Sequence, residues 1–246
     1  MMKNILIVGG ASGMGLSLAN VLVKRETTKK IFIVDKNPLP KEYTNDKIES
    51  HVFDLAEKDY SFFDKFKDID SLIITAGFAK LSLFKDISED YINSSFIVNT
   101  IAPIRVIKHF YDKLLSKEDF FCGVMVSISG FMSSPFYSVY AAGKAALKIF
   151  IESVNVELCK AETSNRILNI SPGTIKGTSF NGGKTDLSQT EQLAKEILLH
   201  LQNKNDLFIP KYEQVFKKVL ERYHEDFRKE GLHSYDYKLN SGRIKP

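Results

Sequence analysis

The chain lacks most of the features that would fix its class at once. Its 246 residues hold only two cysteines, Cys122 and Cys159. They form no C-x-x-C pair, which excludes a disulfide-stapled secreted scaffold and suits a reducing cytosol. Long apolar runs are missing. The N-terminal stretch Met1–Gly10 has four apolar residues in a row, Ile5 to Val8, before a glycine turn, too few for a signal sequence or a membrane span. Charge of one sign is scarce too: Lys+Arg 34 against Asp+Glu 30 leaves +4, densest after residue 210 and too mild to argue for nucleic acid. The histidines, His51, His109, His200, His224 and His233, show no H-E-x-x-H or other ligand spacing, so no metal site is expected. A G-x-S-x-G elbow is absent, which counts against an α/β-hydrolase. No internal repeat or low-complexity tract occurs.

What is present is a chain with 43% hydrophobic and 11% aromatic residues, enough for a sizeable core and incompatible with intrinsic disorder. Against a prior of roughly 150 residues per domain, its length permits one large or two small domains. Short β-rich apolar runs alternate with stretches of helical spacing. Strands are expected at Ile5–Val8, Ile31–Val34, Ile48–Phe53, Ser71–Thr75, Gly123–Ile128, Arg166–Ile170 and Leu207–Ile209; helices at Gly13–Lys24, Ser61–Lys67, Ser88–Leu115, Val139–Ala161 and Leu187–Gln202. This alternation predicts a single Rossmann-like, doubly wound parallel sheet of about seven strands with helices on both faces. Such a sheet places its ligand beyond the carboxyl ends of the strands. The Gly/Thr/Ser-rich segment Pro172–Thr185 is the longest loop, a length more typical of a functional lid than of a linker. Lys211–Glu230 reads as one amphipathic helix and Leu232–Pro246 as a polar, aromatic tail. The expected division is a dinucleotide-binding and catalytic unit over 1–210 and a C-terminal helix and tail over 211–246.

The first strand runs into Gly9-Gly10-Ala11-Ser12-Gly13-Met14-Gly15-Leu16, which opens a helix. Glycines at 9, 13 and 15 allow a tight turn and close approach of a pyrophosphate, and the N–H groups and dipole of the helix face that anion. Asp35 follows at the end of the second strand, twenty residues after Gly15. A carboxylate there accepts hydrogen bonds from adenosine ribose hydroxyls and repels a 2′-phosphate, which favours NAD(H) over NADP(H); the neighbouring Lys36 leaves NADP(H) possible. A second phosphate-loop-like stretch, Gly177–Thr185, places five residues between Gly177 and Gly183 where a P-loop needs four, and it does not follow a strand directly; it is rejected.

Tyr140-Ala141-Ala142-Gly143-Lys144 begins a helical stretch, so the phenol and ammonium project from one face. A phenol titrates near 10 and is a poor acid or base at neutral pH. A cation about 4 Å away is worth roughly 4 kcal/mol at an effective dielectric near 20, or about three pKa units, so Lys144 is expected to bring Tyr140 towards working pH.

The spacing G-x-x-x-G-x-G together with Y-x-x-x-K resembles the short-chain dehydrogenase/reductase family over about residues 3–210, with Val8 where the family usually has Thr. The resemblance implies further stations. Asp54-Leu55 resembles the pair that meets the adenine. Thr75-Ala76-Gly77 resembles the N-N-A-G segment, with Ile74 and Thr75 in place of the asparagines. Pro172-Gly173-Thr174-Ile175 resembles the P-G segment facing the nicotinamide carboxamide, with Thr178 as the following hydroxyl and Thr174 as a less favoured substitute. Ser127, thirteen residues before Tyr140, takes the place of the serine that orients the substrate oxygen, with Ser129 as the alternative, and Asn99 resembles the asparagine that kinks a helix and supports a proton relay through Lys144. The family implies hydride transfer between an alcohol and a ketone or aldehyde, a small-molecule partner, and a homodimer or homotetramer packed through Ser88–Leu115 and Val139–Ala161. Neither nucleic acid nor membrane is expected as a partner, and the expected location is cytoplasmic. The substrate pocket is expected to be lined by Phe78, Phe131, Met132, Phe136, Tyr137, Phe180 and whatever the C-terminal tail contributes. Two alternatives stay open: an epimerase or dehydratase with tightly held NAD, and a non-catalytic dinucleotide sensor or scaffold.

Overall fold

The structure is a computed structural model, and it describes residues 1–178, 180, 184–241 and 244. Residues 179 and 181–183 of the phosphate-loop-like stretch, and 242, 243, 245 and 246 of the expected tail, lie outside the described residues.

Seven parallel strands form one sheet: β1 Asn4–Val8, β2 Lys30–Asp35, β3 Ile48–Val52, β4 Ser71–Ile74, β5 Phe121–Met125, β6 Ile167–Ile170 and β7 Leu207–Phe208, in the order β3-β2-β1-β4-β5-β6-β7. The pairing of Ile5 with Ile31 on one side and with Ser71 on the other fixes β1 inside the sheet, between β2 and β4. Alternation along β1 shows why the strands are apolar throughout. Leu6 and Val8 join the core on one face, with Val106 and Ile107 of α3 (Ala102–His109) and Leu147 and Ile151 of α5 (Ser138–Lys160). Ile5 and Ile7 join the core on the other, with Leu18 and Leu22 of α1 (Gly13–Val23) and Ile197 and Leu198 of α6 (Leu187–Gln202). A parallel sheet buried on both faces requires this.

Three expected helices differ in form. Ser61–Phe66 is a tight 3₁₀ turn, whose Phe62, Phe63 and Phe66 pack with Phe53 and His51. This aromatic wedge covers the sheet with few residues, which is why the connection from Asp54 to Ser71 is short. Ser88–Leu115 divides into α2 (Glu89–Phe96), a wide π turn (Ile97–Ile101), α3 and α4 (Tyr111–Leu115). Pro103 has no N–H to give the carbonyl of residue 99, and its ring crowds that carbonyl, so the ladder widens there.

The C-terminal segment departs most. Lys211–Glu230 is broken into a π turn at Tyr212–Phe216, α7 at Lys217–Glu225 and α8 at Phe227–Asn240. The break is chemical: Asp226 leaves the helical region, and its carboxylate accepts from the N–H groups of Arg228 and Lys229, capping α8. Most of the stretch expected to be a tail is therefore helix. No helix among the described residues is long and apolar enough to cross a membrane.

Candidate active site

The order of the sheet reverses between β1 and β4, and beyond their carboxyl ends opens a cleft of about 1000 Å³. Its dinucleotide side is lined by Gly9, Ser12, Gly13, Met14, Gly15, Asp35, Asp54, Leu55, Ala76 and Gly77. Gly9 turns at φ +91, and a Cβ there would lie 2.6 Å from Cα of Ala76; no side chain fits. Thr75 compensates for Val8. Its hydroxyl donates to the Gly9 carbonyl at 2.9 Å, tying the turn down from the neighbouring strand. Both oxygens of Asp35 are fixed, Oδ2 accepting from the Ala11 N–H at 3.1 Å and Oδ1 from that of Asn37 at 3.0 Å. Asp54 Oδ1 accepts from the Ala56 N–H at 2.9 Å. A side chain at Gly77 would come within 2.8 Å of Asn99 Oδ1. Bare backbone, a helix N-terminus and two hydrogen-bonded carboxylates, Asp35 and Asp54, thus form a cradle that suits an adenine dinucleotide. Pro172, Gly173, Ile175 and Thr178 also line the cleft, Thr178 close against Gly13. Thr178 donates to the Ile175 carbonyl at 3.1 Å.

One contact here escaped sequence reasoning. Thr185 Oγ1 accepts from the Gly13 N–H at 3.1 Å. Its sequence signal was its place at the end of the rejected phosphate-loop-like stretch Gly177–Thr185.

Ser127, Tyr140 and Lys144 meet in the middle of the cleft. Ser127 lies just past β5 rather than within it, where it caps a 3₁₀ turn at Ile128–Gly130 and its Oγ accepts from the Ser129 N–H at 3.1 Å. Ser129 also lines the cleft, but it is the Ser127 side chain that acts on the Tyr140 phenol, favouring its ionised form. Lys144 is buried; its Nζ donates to the Met125 carbonyl at 2.8 Å and lies 5.7 Å from the centroid of the Tyr140 ring. Asn99 sits behind this group in the π turn, fully buried. Its Nδ2 donates to the Phe78 carbonyl at 2.9 Å and to Ser95 Oγ at 3.1 Å, and its Oδ1 accepts from the Phe78 N–H at 3.0 Å. The asparagine therefore holds the strand-to-helix segment in place.

The electrostatics correct one expectation. Burial pushes the Tyr140 phenol well above its ordinary range, with the Ser127 hydrogen bond pulling the other way. The same dry wall brings Lys144 down to about 7. Desolvation is the largest influence on both groups, and it raises the phenol rather than lowering it.

The substrate side also differs from expectation. Phe78, Met132, Tyr137 and Phe180 line the cleft. Phe136 instead is buried against Tyr235, ring centroids 4.5 Å apart, and Phe131 lies beneath the Lys148 ammonium. Their places in the wall are taken by residues of the C-terminal helices, including Phe216, Val219, Arg222, Glu230 and Tyr237. Phe216 is pressed so close to Gly173 that a Cβ there would lie 2.6 Å from its Cζ.

A family model described as short chain dehydrogenase matches residues 3–189. The chain belongs to this family. Among curated relatives, an uncharacterized oxidoreductase of Saccharomyces cerevisiae is 28% identical over 189 residues, covering 73% of this chain and 57% of the yeast protein. This chain therefore matches little more than half the length of that relative. An uncharacterized oxidoreductase of Staphylococcus epidermidis is 25% identical over 202 residues, covering 78% of this chain and 85% of its own. Among solved structures, a short chain dehydrogenase from Burkholderia cenocepacia in complex with NADP superposes with a TM-score of 0.75 at 17% identity, covering 100% of this chain and 98% of that one. A 4-hydroxyisoleucine dehydrogenase complexed with NADH and succinate gives 0.69 at 23% identity, covering 83% and 96%. The chain is thus a member of an oxidoreductase family, and of these two structural neighbours one is complexed with NADP and the other with NADH.

Proposed function

We propose that the protein is an NAD(P)-dependent oxidoreductase that interconverts an alcohol and a ketone or aldehyde. The observation that carries this reading is the meeting of Ser127, Tyr140 and Lys144 at the centre of a cleft whose other half is a backbone cradle for a dinucleotide. NAD(H) is the favoured cofactor, because the Asp35 carboxylate is fixed by two N–H groups at the end of β2 and opposes a 2′-phosphate. The complexes of similar structures with NADP and with NADH leave the family open to both.

When bound, the nicotinamide supplies or accepts the hydride. The Ser127 hydroxyl holds the substrate oxygen beside the Tyr140 phenol and polarises it. In reduction the Tyr140 hydroxyl gives its proton to that oxygen; in oxidation it takes the proton back. Lys144, with a pKa of about 7, loses or gains a proton at Nζ within the working range and so replenishes the phenol. Asn99 is a positioning residue that fixes the backbone at Phe78 through two hydrogen bonds and is itself held by a third to Ser95 Oγ. The exposed Ile149 and Val156 on α5 suit packing against a second copy in a homodimer or homotetramer, and the free thiols of Cys122 and Cys159 suit the cytoplasm.

The test is turnover of a carbonyl panel with NADH and NADPH by the wild type and Tyr140→Phe. Loss of general acid–base catalysis predicts a fall in kcat of about 10²–10⁴-fold, with NADH binding retained. Turnover that survives in Tyr140→Phe overturns the mechanism.

A further inference from the structure

The substrate side of the cleft has two kinds of wall. Around Tyr140 it is apolar, with Met132, Tyr137, Phe180, Phe216 and Val219. At the C-terminal helices it becomes ionic. Arg222 of α7 and Glu230 of α8 form a two-point pair, Nε donating to Oε2 at 2.7 Å and Nη2 to Oε1 at 2.9 Å. Glu230 is a buried carboxylate, its side chain 10% exposed, whereas that of Arg222 is 49% exposed. His233 Nδ1 approaches the same carboxylate at 3.9 Å.

An exposed ion pair contributes little, and burying a carboxylate is costly unless its partner is well fixed. What this pair achieves is orientation. A guanidinium has five N–H donors in a planar fork, and Glu230 takes one edge of it. The remaining donors belong to a half-exposed group in the cleft wall, for which Glu230 is the hydrogen-bond partner among the described residues. Its rotamer freedom is already spent before anything binds, which is the condition for a preorganised contact. Among the described lining residues the same wall also holds Lys238, which donates to Ser134 Oγ at 3.0 Å and to the Pro135 carbonyl at 2.8 Å.

We propose that Arg222, oriented by Glu230, is a specificity-determining residue that takes a carboxylate at the far end of a substrate with an apolar body. The inference rests on the cleft being an alcohol–carbonyl site. Arg222 touches the substrate end remote from the reacting carbon, and Glu230 acts through it as a positioning residue.

The experiment compares methyl ketones of eight to twelve carbons with the same ketones carrying a terminal carboxylate, using NADH and the full chain. In the wild type the KM for the oxo acids is expected to be about tenfold below that for the matched ketones, a typical gain for a charge-assisted bond. Arg222→Met keeps the apolar stem and is expected to bring that ratio to about one. Arg222→Lys, which keeps charge without the fork, restores part of it, and Glu230→Gln falls between. A wild-type ratio near one, or a ratio that survives in Arg222→Met, overturns the proposal. Decanoate titrated calorimetrically into NADH-loaded protein separates this outcome from failure of the oxidoreductase reading. If no ketone of either series turns over, that reading fails. Decanoate binding that is lost in Arg222→Met and kept in Arg222→Lys still supports the anchor, and binding equal in all three overturns it.

Discussion

The two sides of the cleft are built from different materials. The dinucleotide side is backbone: the Gly9 turn at φ +91, the N-terminus of α1 and strand ends whose N–H groups hold Asp35. The substrate side is side chain: Phe216, Val219 and the Arg222–Glu230 pair on a helical hairpin, with Phe136 packed against Tyr235 behind it. A backbone site tolerates almost no substitution at its turns and so carries a pattern in the sequence. A side-chain wall can be assembled from any helix that reaches it. One side is therefore shared by a family, and the other is where a member becomes particular.

The backbone side is most vulnerable at Gly9. Alanine there adds left-handed strain of about 1–3 kcal/mol and a clash with the Ala76 backbone, which cannot move without shifting β4. A loss of about 3 kcal/mol or more is expected, with the melting temperature falling on the order of 10 °C and NADH affinity falling by about 100-fold. Unchanged NADH titration in Gly9→Ala would contradict a backbone-built cradle.

Lys144 joins the two sides, and its burial gives a pH test. Its pKa is about 7 in the fold, against 10.5 ordinarily. Between those values the unfolded chain binds more protons, so stability rises with pH. The limiting slope is about 1.4 kcal/mol per pH unit. Cys122 works against this above its ordinary pKa of 9.0, because its thiol is pushed up to about 12 and the fold then holds the extra proton. Stability should therefore climb from pH 7 to 9 and then level. Lys144→Met should lose the climb; parallel curves for the two proteins would refute the assignment.

The sheet and the dinucleotide side were legible because short continuous apolar runs mark strands buried on both faces and because glycine spacing is a backbone requirement. The strands came within a few residues at each end. Ser127 was reachable by counting from Tyr140, although it lies past β5 rather than within it. What stayed hidden depends on partners far away in the chain. Nothing in the periodicity of 211–230 showed that Asp226 would cap a new helix, or that Glu230 would be buried against Arg222. The Tyr140 phenol was misjudged for the same reason: a spacing of four shows a cation nearby but not the dry wall that shifts both groups.

Asp35 tests the specificity of the backbone side. Asp35→Asn removes the charge and keeps the shape and an acceptor for one of the two N–H groups. The ratio of kcat/KM with NADPH to that with NADH should rise by about tenfold, the equivalent of about 1.4 kcal/mol of lost repulsion. An unchanged ratio would place cofactor selection elsewhere, with Lys36 the next residue to vary.

The smallest effect belongs to the hinge between the two sides. Phe136 has φ 67, an unfavourable conformation for a bulky residue, and it sits in the segment that leads into α5 and Tyr140. Its ring is held by Tyr235 of α8, while Lys238 of the same helix binds Ser134 and the carbonyl of Pro135. Strain of this kind persists only where the surroundings over-determine it. Here the surroundings are the C-terminal helix. Tyr235→Leu removes one aromatic pair worth about 0.5–1.5 kcal/mol, so the melting temperature should fall by about 2–4 °C. The informative readout is the split: the KM for the carbonyl substrate should rise severalfold while the NADH dissociation constant stays within error, because the Gly9 turn and Asp35 share no contact with Tyr235. Equal weakening of both ligands would mean that the two sides are not built independently.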